Sequence, residues 1–304
     1  MKYKVLITAP YFQPVVERFL PLFTKHNIEV VVPKVNERMS EEELLPLIGD
    51  IHGVLCGDDR ITERVLAAAP NLKTIVKWGT GIDSIDKEAA ARRGIPVRNT
   101  LNAFTEPVAD TIFAFMLAFA RGTIDLDRKM RNGIWEKKLS KALNECTIGI
   151  IGMGNIGTAV AKRAEAFGMR ILGNDIVEKP HEFMVPIEKL LAESDFVAVC
   201  TDLNPTSRYI IDDKTLALMK AGAYLINASR GPLVDEKALI KALKEGRVAG
   251  AGIDVFEVEP LPTGHPYFGM GNVIMSPHNA NSSLKAWEKV HENSLRQLFE
   301  DLAS

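Results

Sequence analysis

Short apolar runs alternate with amphipathic helical patterns along almost the whole chain. Such alternation is typical of parallel β-sheets built from βαβ units. The first series of runs predicts strands at residues 4–9, 28–33, 53–57, 72–78 and 95–99, with helical patterns such as 61–69 and 85–93 between them. A second series predicts strands at residues 147–151, 170–174, 196–201, 223–228, 249–255 and 273–276. The pattern therefore predicts an α/β protein with two doubly wound parallel sheets.

A helical pattern at residues 107–121 lies between the two series and is apolar on nearly every side. Such a helix must be buried on several faces. Two interpretations are open: burial in a core between the two domains, or additional burial against a second subunit, which we favour. Near the chain end, apolar residues recur at near-helical spacing from Leu284 to Leu302. This spacing predicts a C-terminal helix that packs on one of the domains.

Composition excludes several classes of protein. Lysine and arginine number 37, aspartate and glutamate 39, and the net charge is −2; nucleic acid is therefore not an expected partner, because no basic field exists to hold phosphates. The most apolar stretch, residues 111–120, is shorter than the ~20 residues that span a bilayer, so we expect no membrane contact. The three cysteines form no CxxC pair, which predicts neither a metal site nor a disulfide framework and favours a reducing, cytoplasmic location.

A glycine-rich turn opens the second series. Gly152, Gly154 and Gly157 follow a predicted strand and precede a helical pattern at residues 158–167. Three glycines at this spacing allow a tight turn, close approach of a pyrophosphate to the backbone, and tight packing of helix on strand. The phosphates of a dinucleotide would then meet the helix N-terminus with its free N–H groups. Without a ligand, the same residues would make an ordinary glycine turn.

Asp175 stands at the end of the next predicted strand, 18 residues after Gly157. A carboxylate there can accept hydrogen bonds from both ribose hydroxyls of adenosine and repels a 2′-phosphate. The residues that follow Asp175 offer no arginine for such a phosphate. The sequence therefore favours NAD (NADH) as cofactor over NADP.

Three polar residues follow three strands of the second series: Arg230, Glu259 and His278. Because ligands bind beyond the carboxyl ends of the strands in such sheets, we expect all three in one cleft. Arginine offers a planar fork of donors for a carboxylate and for a carbonyl oxygen that gains charge as hydride arrives. Histidine, with an ordinary pKa of ~6.5, exchanges the hydroxyl proton, and the glutamate orients the imidazole and stabilises its protonated form.

Each of these residues also has an ordinary structural explanation. Arg230 can form a surface ion pair, and Glu259 can be a loop carboxylate beside a proline. Among the other histidines, only His265, in the loop 263–266 that is rich in proline and glycine, rivals His278 for the acid/base role. We favour His278 because it ends an apolar strand.

The segments 77–86, 149–157, 227–231, 252–260 and 276–278 together resemble those of the D-isomer-specific 2-hydroxyacid dehydrogenases, over essentially the whole chain. The resemblance implies that Arg230 binds substrate, that His278 is the acid/base and that Glu259 is its partner. It implies cofactor contacts that share the carboxyl edge of the second sheet; with the glycines, the predicted set is Gly152, Gly154, Asn155, Ile156, Gly157, Asp175, Thr201, Ala228, Ser229 and Asp254.

The resemblance also implies a domain organisation. Residues 1–100 plus 281–304 are expected to form a flavodoxin-like substrate domain, and residues 101–280 a Rossmann NAD-binding domain, with a cleft between them. Family members are usually dimers joined through the NAD domain and the apolar helix before it, so we expect a homodimer through helix 107–121.

The predicted substrate-binding residues of the first domain are Lys77, Gly79, Thr80 and Gly81. Backbone N–H groups of the 79–81 loop can hold the substrate carboxylate opposite Arg230; the alternative is a plain glycine turn. Binding by loops of both domains would close the cleft and exclude water. Beyond His278 the chain departs from the small or aliphatic residues common in the family, and two contacts are open for the polar side chains within Asn279 to Ser283: the nicotinamide carboxamide or the tail of the substrate.

The substrate is a small 2-hydroxy or 2-keto acid by this resemblance. The forms of the motifs at 77–81 and 227–231 are closest to 3-phosphoglycerate dehydrogenase-like members, here without a C-terminal regulatory domain. A phosphorylated substrate needs a second cationic site, and Lys77, Arg60 and Arg98 are its candidates, although solvated surface charges are an equal alternative. Glyoxylate, hydroxypyruvate and longer 2-keto acids stay open, as does an NAD-sensing protein that resembles the corepressors of this fold.

Overall fold

The computed structural model describes residues 2–304, and this part of the chain forms two compact units. The first unit runs up to Phe104 and is completed by Ser282–Ser304. The second unit is Thr105–Asn281. The sequence-based boundaries lie at 100/101 and 280/281, and the substrate-binding and NAD-binding roles given to the two parts stay predictions.

Every strand predicted from the apolar runs forms, most of them a few residues shorter than predicted. The strands of the first unit are β1 (Tyr3–Ile7), β2 (Ile28–Val31), β3 (Gly53–Cys56), β4 (Thr74–Lys77) and β5 (Val97–Arg98). Those of the second unit are β6 (Thr147–Ile151), β7 (Arg170–Asn174), β8 (Phe196–Val199), β9 (Tyr224–Asn227), β10 (Gly250–Ile253) and β11 (Val273–Met275).

The helices fill the intervals between the strands. In the first unit they are α1 (Val16–Lys25), α2 (Glu41–Leu44), α3 (Glu63–Ala67) and α4 (Lys87–Arg92). The second unit contains α5 (Thr105–Arg121), α6 (Thr123–Arg131), α7 (Asn155–Ala166), α8 (Ile187–Glu193), α9 (Asp213–Leu218) and α10 (Glu236–Lys244). The predicted C-terminal helix is α11 (Leu284–Ala303), and it belongs to the first unit.

The first unit is built on a parallel sheet with strand order β2-β1-β3-β4-β5 within the described residues. This is the flavodoxin-like order, in which the direction of winding reverses between β1 and β3. Helix α11 packs on β3 and β4. A Cβ on Gly53 would lie 2.9 Å from Leu298 of that helix, so glycine permits the close approach.

The second unit is built on a parallel sheet with strand order β11-β10-β9-β8-β6-β7 within the same described range. The reversal of winding falls between β6 and β8, as in a Rossmann sheet. The edge strand that a complete Rossmann sheet has beyond β7 is reduced here to a parallel bridge between Gly173 and Met184. Both predicted fold types are therefore confirmed, the second with a shortened edge.

Helix α5 accounts for the apolar pattern at residues 107–121. It packs on α7 and on the sheet of the second unit, where Phe115 lies over Gly252 and Phe119 over Gly250. Within residues 2–304, no single helix has the length and apolar composition to cross a membrane. Helices α5 and α6 meet that test only as a pair, with a bend of 60° between them.

Candidate active site

The glycine loop between β6 and α7 has the geometry that its spacing predicts. Gly152 adopts a φ of +94°, and a Cβ there would lie 2.7 Å from the amide nitrogen of Thr201. A Cβ on Gly157 would overlap the carbonyl oxygen of Gly152. A Cβ on Gly154, in contrast, would meet no atom within 4 Å. Gly152 and Gly157 are thus required by the turn, whereas the missing side chain at Gly154 leaves open space in front of the helix N-terminus.

Asp175 follows β7 and is tied to this loop. One carboxylate oxygen accepts the N–H of Met153 at 2.7 Å, and the other accepts the N–H of Val177 at 2.9 Å. Each oxygen has a second lone pair, so the carboxylate can still accept hydrogen bonds from hydroxyl groups. Asn155 and Ile156 begin α7 directly beside the loop. The open space, the helix N-terminus and the carboxylate together fit the phosphates and ribose of a dinucleotide.

Arg230 lies on a tight turn after β9, and the turn is held by Asn227, which is not among the predicted site residues. The side chain of Asn227 accepts the N–H of Ser229 at 3.1 Å and donates to the carbonyl oxygen of Arg230 at 2.8 Å. The hydroxyl of Ser229 donates to the carbonyl oxygen of Val199 at 2.9 Å, which ties the turn to β8. An asparagine that ends a strand before a small residue is a local turn signal. The signal was therefore present in the sequence.

The turn at Arg230 lies against the segment that carries Glu259. A Cβ on Gly231, the residue after Arg230, would overlap the carbonyl group of Phe256. Arg230 is half-buried, and one of its guanidinium nitrogens donates to the carbonyl oxygen of Ser229 at 3.0 Å. The ends of β9 and β10 thus bring two of the three predicted catalytic residues onto neighbouring backbone segments.

His278 follows β11 in a left-handed turn, with a φ of +50°. This conformation is rare for a residue with a side chain and costs roughly 1–2 kcal/mol. The buried carboxylate of Asp254 holds the turn, since its two oxygens accept the N–H groups of Asn279 at 2.9 Å and Ala280 at 3.0 Å. The N–H of His278 donates to the carbonyl oxygen of Asp254 at 2.7 Å. Asp254, predicted to contact the cofactor, thus fixes the backbone that presents His278.

Glu259 and His278 meet directly. Nδ1 of His278 lies 3.0 Å from one carboxylate oxygen of Glu259, whose other oxygen accepts the N–H of Phe256 at 2.9 Å. An ionised carboxylate only accepts hydrogen bonds, so Nδ1 must carry a proton. This leaves Nε2 of the ring as the atom that can give or take a proton.

The rival histidine, His265, has both ring nitrogens engaged. Nε2 lies 2.9 Å from the carboxylate of Glu236, and Nδ1 accepts the N–H of Tyr267 at 3.3 Å. A ring held at both nitrogens offers neither of them to a substrate. The ring of His278 is bound to its glutamate through Nδ1, whereas the ring of His265 is bound to its glutamate through Nε2.

The predicted substrate residues of the first unit lie at the end of β4. Lys77 is 4% exposed, and its ammonium group lies 3.0 Å from the carboxylate of Asp58. Gly79 has a φ of +129°, and its carbonyl oxygen accepts the N–H of Thr100 at 2.8 Å, while the hydroxyl of Thr80 donates to the Thr100 carbonyl oxygen at 3.0 Å. Hydrogen bonds to Thr100 therefore fix the loop at Gly79 and Thr80, and the substrate role of these residues and of Gly81 stays a prediction.

Comparison with known proteins finds a matching family model, similar curated proteins and similar solved structures. The model of the D-isomer-specific 2-hydroxyacid dehydrogenase NAD-binding domain matches residues 113–280. The chain is 43% identical over 247 residues to a glyoxylate reductase of Korarchaeum cryptofilum, covering 77% of this chain and 74% of the relative. It is 38% identical to a glyoxylate reductase of Thermococcus onnurineus, covering 98% and 92%. The crystal structure of a D-lactate dehydrogenase from Aquifex aeolicus, complexed with NAD and lactic acid, superposes with a TM-score of 0.86 at 25% identity, covering 97% and 93%.

Proposed function

The chain belongs to the D-isomer-specific 2-hydroxyacid dehydrogenase family and is an NAD-dependent oxidoreductase, and we propose that it reduces glyoxylate or a similarly small, unphosphorylated 2-keto acid. Curated relatives that cover most of the chain are named glyoxylate reductase. The choice of an unphosphorylated substrate rests on one observation: two of the three cations that could bind a phosphate group already pair with carboxylates of the protein.

Two of the three cations considered for a phosphate site already face carboxylates. Lys77 is buried beside Asp58, and Arg98 donates to Asp301 at 2.8 Å and 3.1 Å. A buried ammonium group that is paired with a carboxylate has little attraction left for a second anion, and recruiting it would leave the first anion unpaired. The third cation, Arg60, is exposed at the surface. These pairings favour a substrate without a phosphate group over 3-phosphohydroxypyruvate.

We assign the chemical roles to the second unit. When bound, reduced nicotinamide supplies the hydride. The guanidinium group of Arg230 binds the substrate carboxylate and stabilises the negative charge that develops on the carbonyl oxygen. Nε2 of His278 donates the proton that turns this oxygen into a hydroxyl, and Glu259 keeps Nδ1 protonated throughout. The reverse reaction uses the same groups with the proton returned to Nε2.

The cofactor contacts are assigned on the same geometry. The open space at Gly154 and the N-terminus of α7 receive the pyrophosphate, and Asp175 accepts the ribose hydroxyls. Because a carboxylate repels a 2′-phosphate, Asp175→Ala should narrow the preference for NADH over NADPH, measured as the ratio of their kcat/KM values, by about tenfold. An unchanged ratio would argue against the ribose contact. Thr201, Ala228 and Ser229 complete the proposed cofactor site.

We further propose a cytoplasmic homodimer, joined through the second unit and α5. Apolar side chains after α6 support an interface on this unit, since Trp135 is 80% exposed and Leu139 is 100% exposed. Sedimentation of the purified protein tests the dimer. A monomer at micromolar concentration would contradict it.

The substrate is tested by following the absorbance of NADH, and in parallel NADPH, with glyoxylate, hydroxypyruvate, pyruvate, branched 2-keto acids and 3-phosphohydroxypyruvate. We expect glyoxylate or hydroxypyruvate to give the highest kcat/KM with NADH. A preference for 3-phosphohydroxypyruvate would overturn the argument from the paired cations. No turnover with any acid, while NADH still binds, would favour an NAD-sensing protein instead.

A further inference from the structure

Glu257 lies two positions before Glu259 and connects separate elements of the second unit. One carboxylate oxygen accepts the N–H of Glu236, the first residue of α10, at 3.0 Å. The other oxygen lies 3.4 Å from the hydroxyl of Tyr209, in the loop between β8 and α9. An anion is favoured at this position because the helix N-terminus carries a partial positive charge. Glu257 therefore binds its own segment to α10 and to a neighbouring loop.

A second contact ties the connection between β10 and β11 to the same helix. His265 donates from Nε2 to the side chain of Glu236, while its Nδ1 accepts the N–H of Tyr267. The connection from Asp254 to Asn272 is thus held to the first residue of α10 both through Glu257 and through His265. Glu259 lies on the stretch between these two attachments.

The attachment at Glu257 leads directly to the proposed acid/base pair. Phe256, the residue before Glu257, donates its N–H to one oxygen of Glu259, and the other oxygen of Glu259 lies against Nδ1 of His278. The carbonyl group of Phe256 also lies where a Cβ on Gly231 would overlap it. The backbone at 256 and 257 therefore touches both the Arg230 turn and the Glu259 carboxylate.

We propose that Glu257 is a positioning residue for the reduction. By fixing the backbone at 256 and 257 to α10, it holds Glu259 against Nδ1 of His278 and keeps the Arg230 turn in register with that pair. The kinetic part of this inference rests on the proposed function. The placement of Glu259 by Glu257 does not depend on which 2-keto acid is reduced.

An ordinary structural carboxylate in the same unit provides the matched control. Asp212 caps the N-terminus of α9, where its side chain accepts the N–H of Thr215 at 2.9 Å. Replacing a capping residue by alanine typically removes about 1 kcal/mol of stability. Asp212→Ala should therefore lower Tm as the loss of an ordinary helix cap does, and only Glu257→Ala should affect the placement of Glu259.

The kinetic test compares Glu257→Ala, Glu257→Gln and Asp212→Ala with the best keto acid of the panel. Since a displacement of about 1 Å in a catalytic group lowers rates by up to about 100-fold, we expect Glu257→Ala to lose at least tenfold in kcat. The Kd for NADH should stay within about twofold, because no assigned cofactor contact is altered. Glu257→Gln should recover most of the rate, since its amide oxygen still accepts the N–H of Glu236.

Two results would overturn the proposal. One is a loss of kcat in Glu257→Ala no greater than in Asp212→Ala, and the other is a Gln variant as slow as the Ala variant. If Glu257→Ala does not fold, Glu257→Asp replaces it, because the charge is retained while the carboxylate is one methylene shorter. Wild-type kcat in Glu257→Asp would then count against positioning, and a loss of several-fold would support it.

A spectroscopic readout separates this proposal from the proposed function. The Nδ1–H proton of His278, which Glu259 accepts, gives a proton resonance that can be assigned by its loss in His278→Gln. We expect this resonance in the wild type and in Asp212→Ala, and its loss or displacement in Glu257→Ala. An unchanged resonance in Glu257→Ala would overturn the positioning role, even in a protein that turns over none of the acids tested.

Discussion

The two units share one strand order around the point where winding reverses, β2-β1-β3-β4-β5 in the first and β7-β6-β8-β9-β10 in the second. The two units differ in the side chains of the loop that follows the first strand at this reversal, β1 in the first unit and β6 in the second. In the first unit the loop after β1 carries Phe12, which is fully buried and stacks on Phe19. In the second unit the corresponding loop carries glycines, and a Cβ on Gly154 would meet nothing within 4 Å. The two sheets therefore share a topological crevice, but a buried aromatic side chain occupies the loop of the first, whereas the glycine loop of the second has open space at Gly154.

The two units also differ in the carboxylate that lies near this reversal. Asp59 of the first unit is buried, and its carboxylate accepts the Thr8 hydroxyl at 2.6 Å and the N–H groups of Met39 at 2.6 Å and Gly57 at 2.9 Å. Asp175 of the second unit is half-exposed beside the glycine loop. The first carboxylate is buried and accepts three hydrogen bonds from the protein, whereas the second is partly exposed and retains lone pairs for a ligand.

The largest expected effect is the loss of kcat/KM when the proposed proton donor of the second unit is removed. His278→Gln removes the proton donor and should lower kcat/KM by about 100- to 10,000-fold, while the Kd for NADH stays within about twofold. Steady-state kinetics and fluorescence titration with NADH measure the two quantities. His181→Gln, at an exposed position of the same unit, is the control and should be near wild type. Comparable turnover in both variants would reject the assignment of His278.

The next largest effect concerns the stability that the buried carboxylate of Asp59 gives to the first unit. Asp59→Ala leaves the Thr8 hydroxyl and the N–H groups of Met39 and Gly57 without an acceptor, and should cost about 2–4 kcal/mol of unfolding free energy. Urea unfolding measures this cost. Asp50→Ala removes an exposed carboxylate that pairs with Lys4, and because solvent screens this pair the substitution should cost much less than Asp59→Ala. Equal costs would mean that the buried network does not stabilise the unit.

Two glycine substitutions distinguish an effect on stability from an effect on cofactor binding in the second unit. Gly157→Ala forces a Cβ onto the carbonyl oxygen of Gly152 and should cost about 1–3 kcal/mol of stability. Gly154→Ala has a permitted φ of −73° and no neighbour to meet; it should keep the wild-type Tm and weaken NADH binding by about tenfold. Thermal unfolding and NADH titration of both variants measure the change in stability and the change in NADH affinity. Wild-type NADH affinity in Gly154→Ala would show that the open space is not used.

The smallest expected effect concerns pH and the first unit alone. Burial lowers the pKa of His291, whose Nδ1 accepts the N–H of Trp78 at 3.0 Å; Glu288 opposes this shift and Arg18 adds to it. A depressed pKa in the folded state gives stability that is present above the unfolded value of ~6.5 and is lost as pH falls. The Tm of the wild type should therefore drop by a few degrees more between pH 8 and pH 5 than that of His291→Gln. Equal drops would show that His291 does not contribute.

Local signals in the sequence predict much of this molecule. Period and apolar runs locate every strand, because a strand buried on both faces must be continuously apolar. The glycine spacing and Asp175 locate the cofactor loop, and the polar residues at strand ends locate Arg230, Glu259 and His278. Each of these signals lies within a few residues of the structure that it predicts.

The remaining features depend on partners that are distant in the chain. Asp254 holds residues 25 and 26 positions later, Lys77 pairs with Asp58, and Glu257 reaches back to Glu236. Nothing local distinguishes a carboxylate that contacts a ligand from one that accepts backbone N–H groups. The sequence therefore indicates the proposed catalytic residues better than the residues that hold them in place.

The left-handed turn at His278 has a consequence for heat inactivation. The N–H of His278 is held by the carbonyl oxygen of Asp254, and two further hydrogen bonds, from the N–H groups of Asn279 and Ala280 to the Asp254 carboxylate, stabilise the same backbone conformation. If these two hydrogen bonds open, the turn can relax to a negative φ while the sheet behind it stays intact. With His278 as the proposed acid/base, we expect loss of turnover and loss of fold to be separate thermal events, and the first to arise in a turn of a few residues at the end of β11.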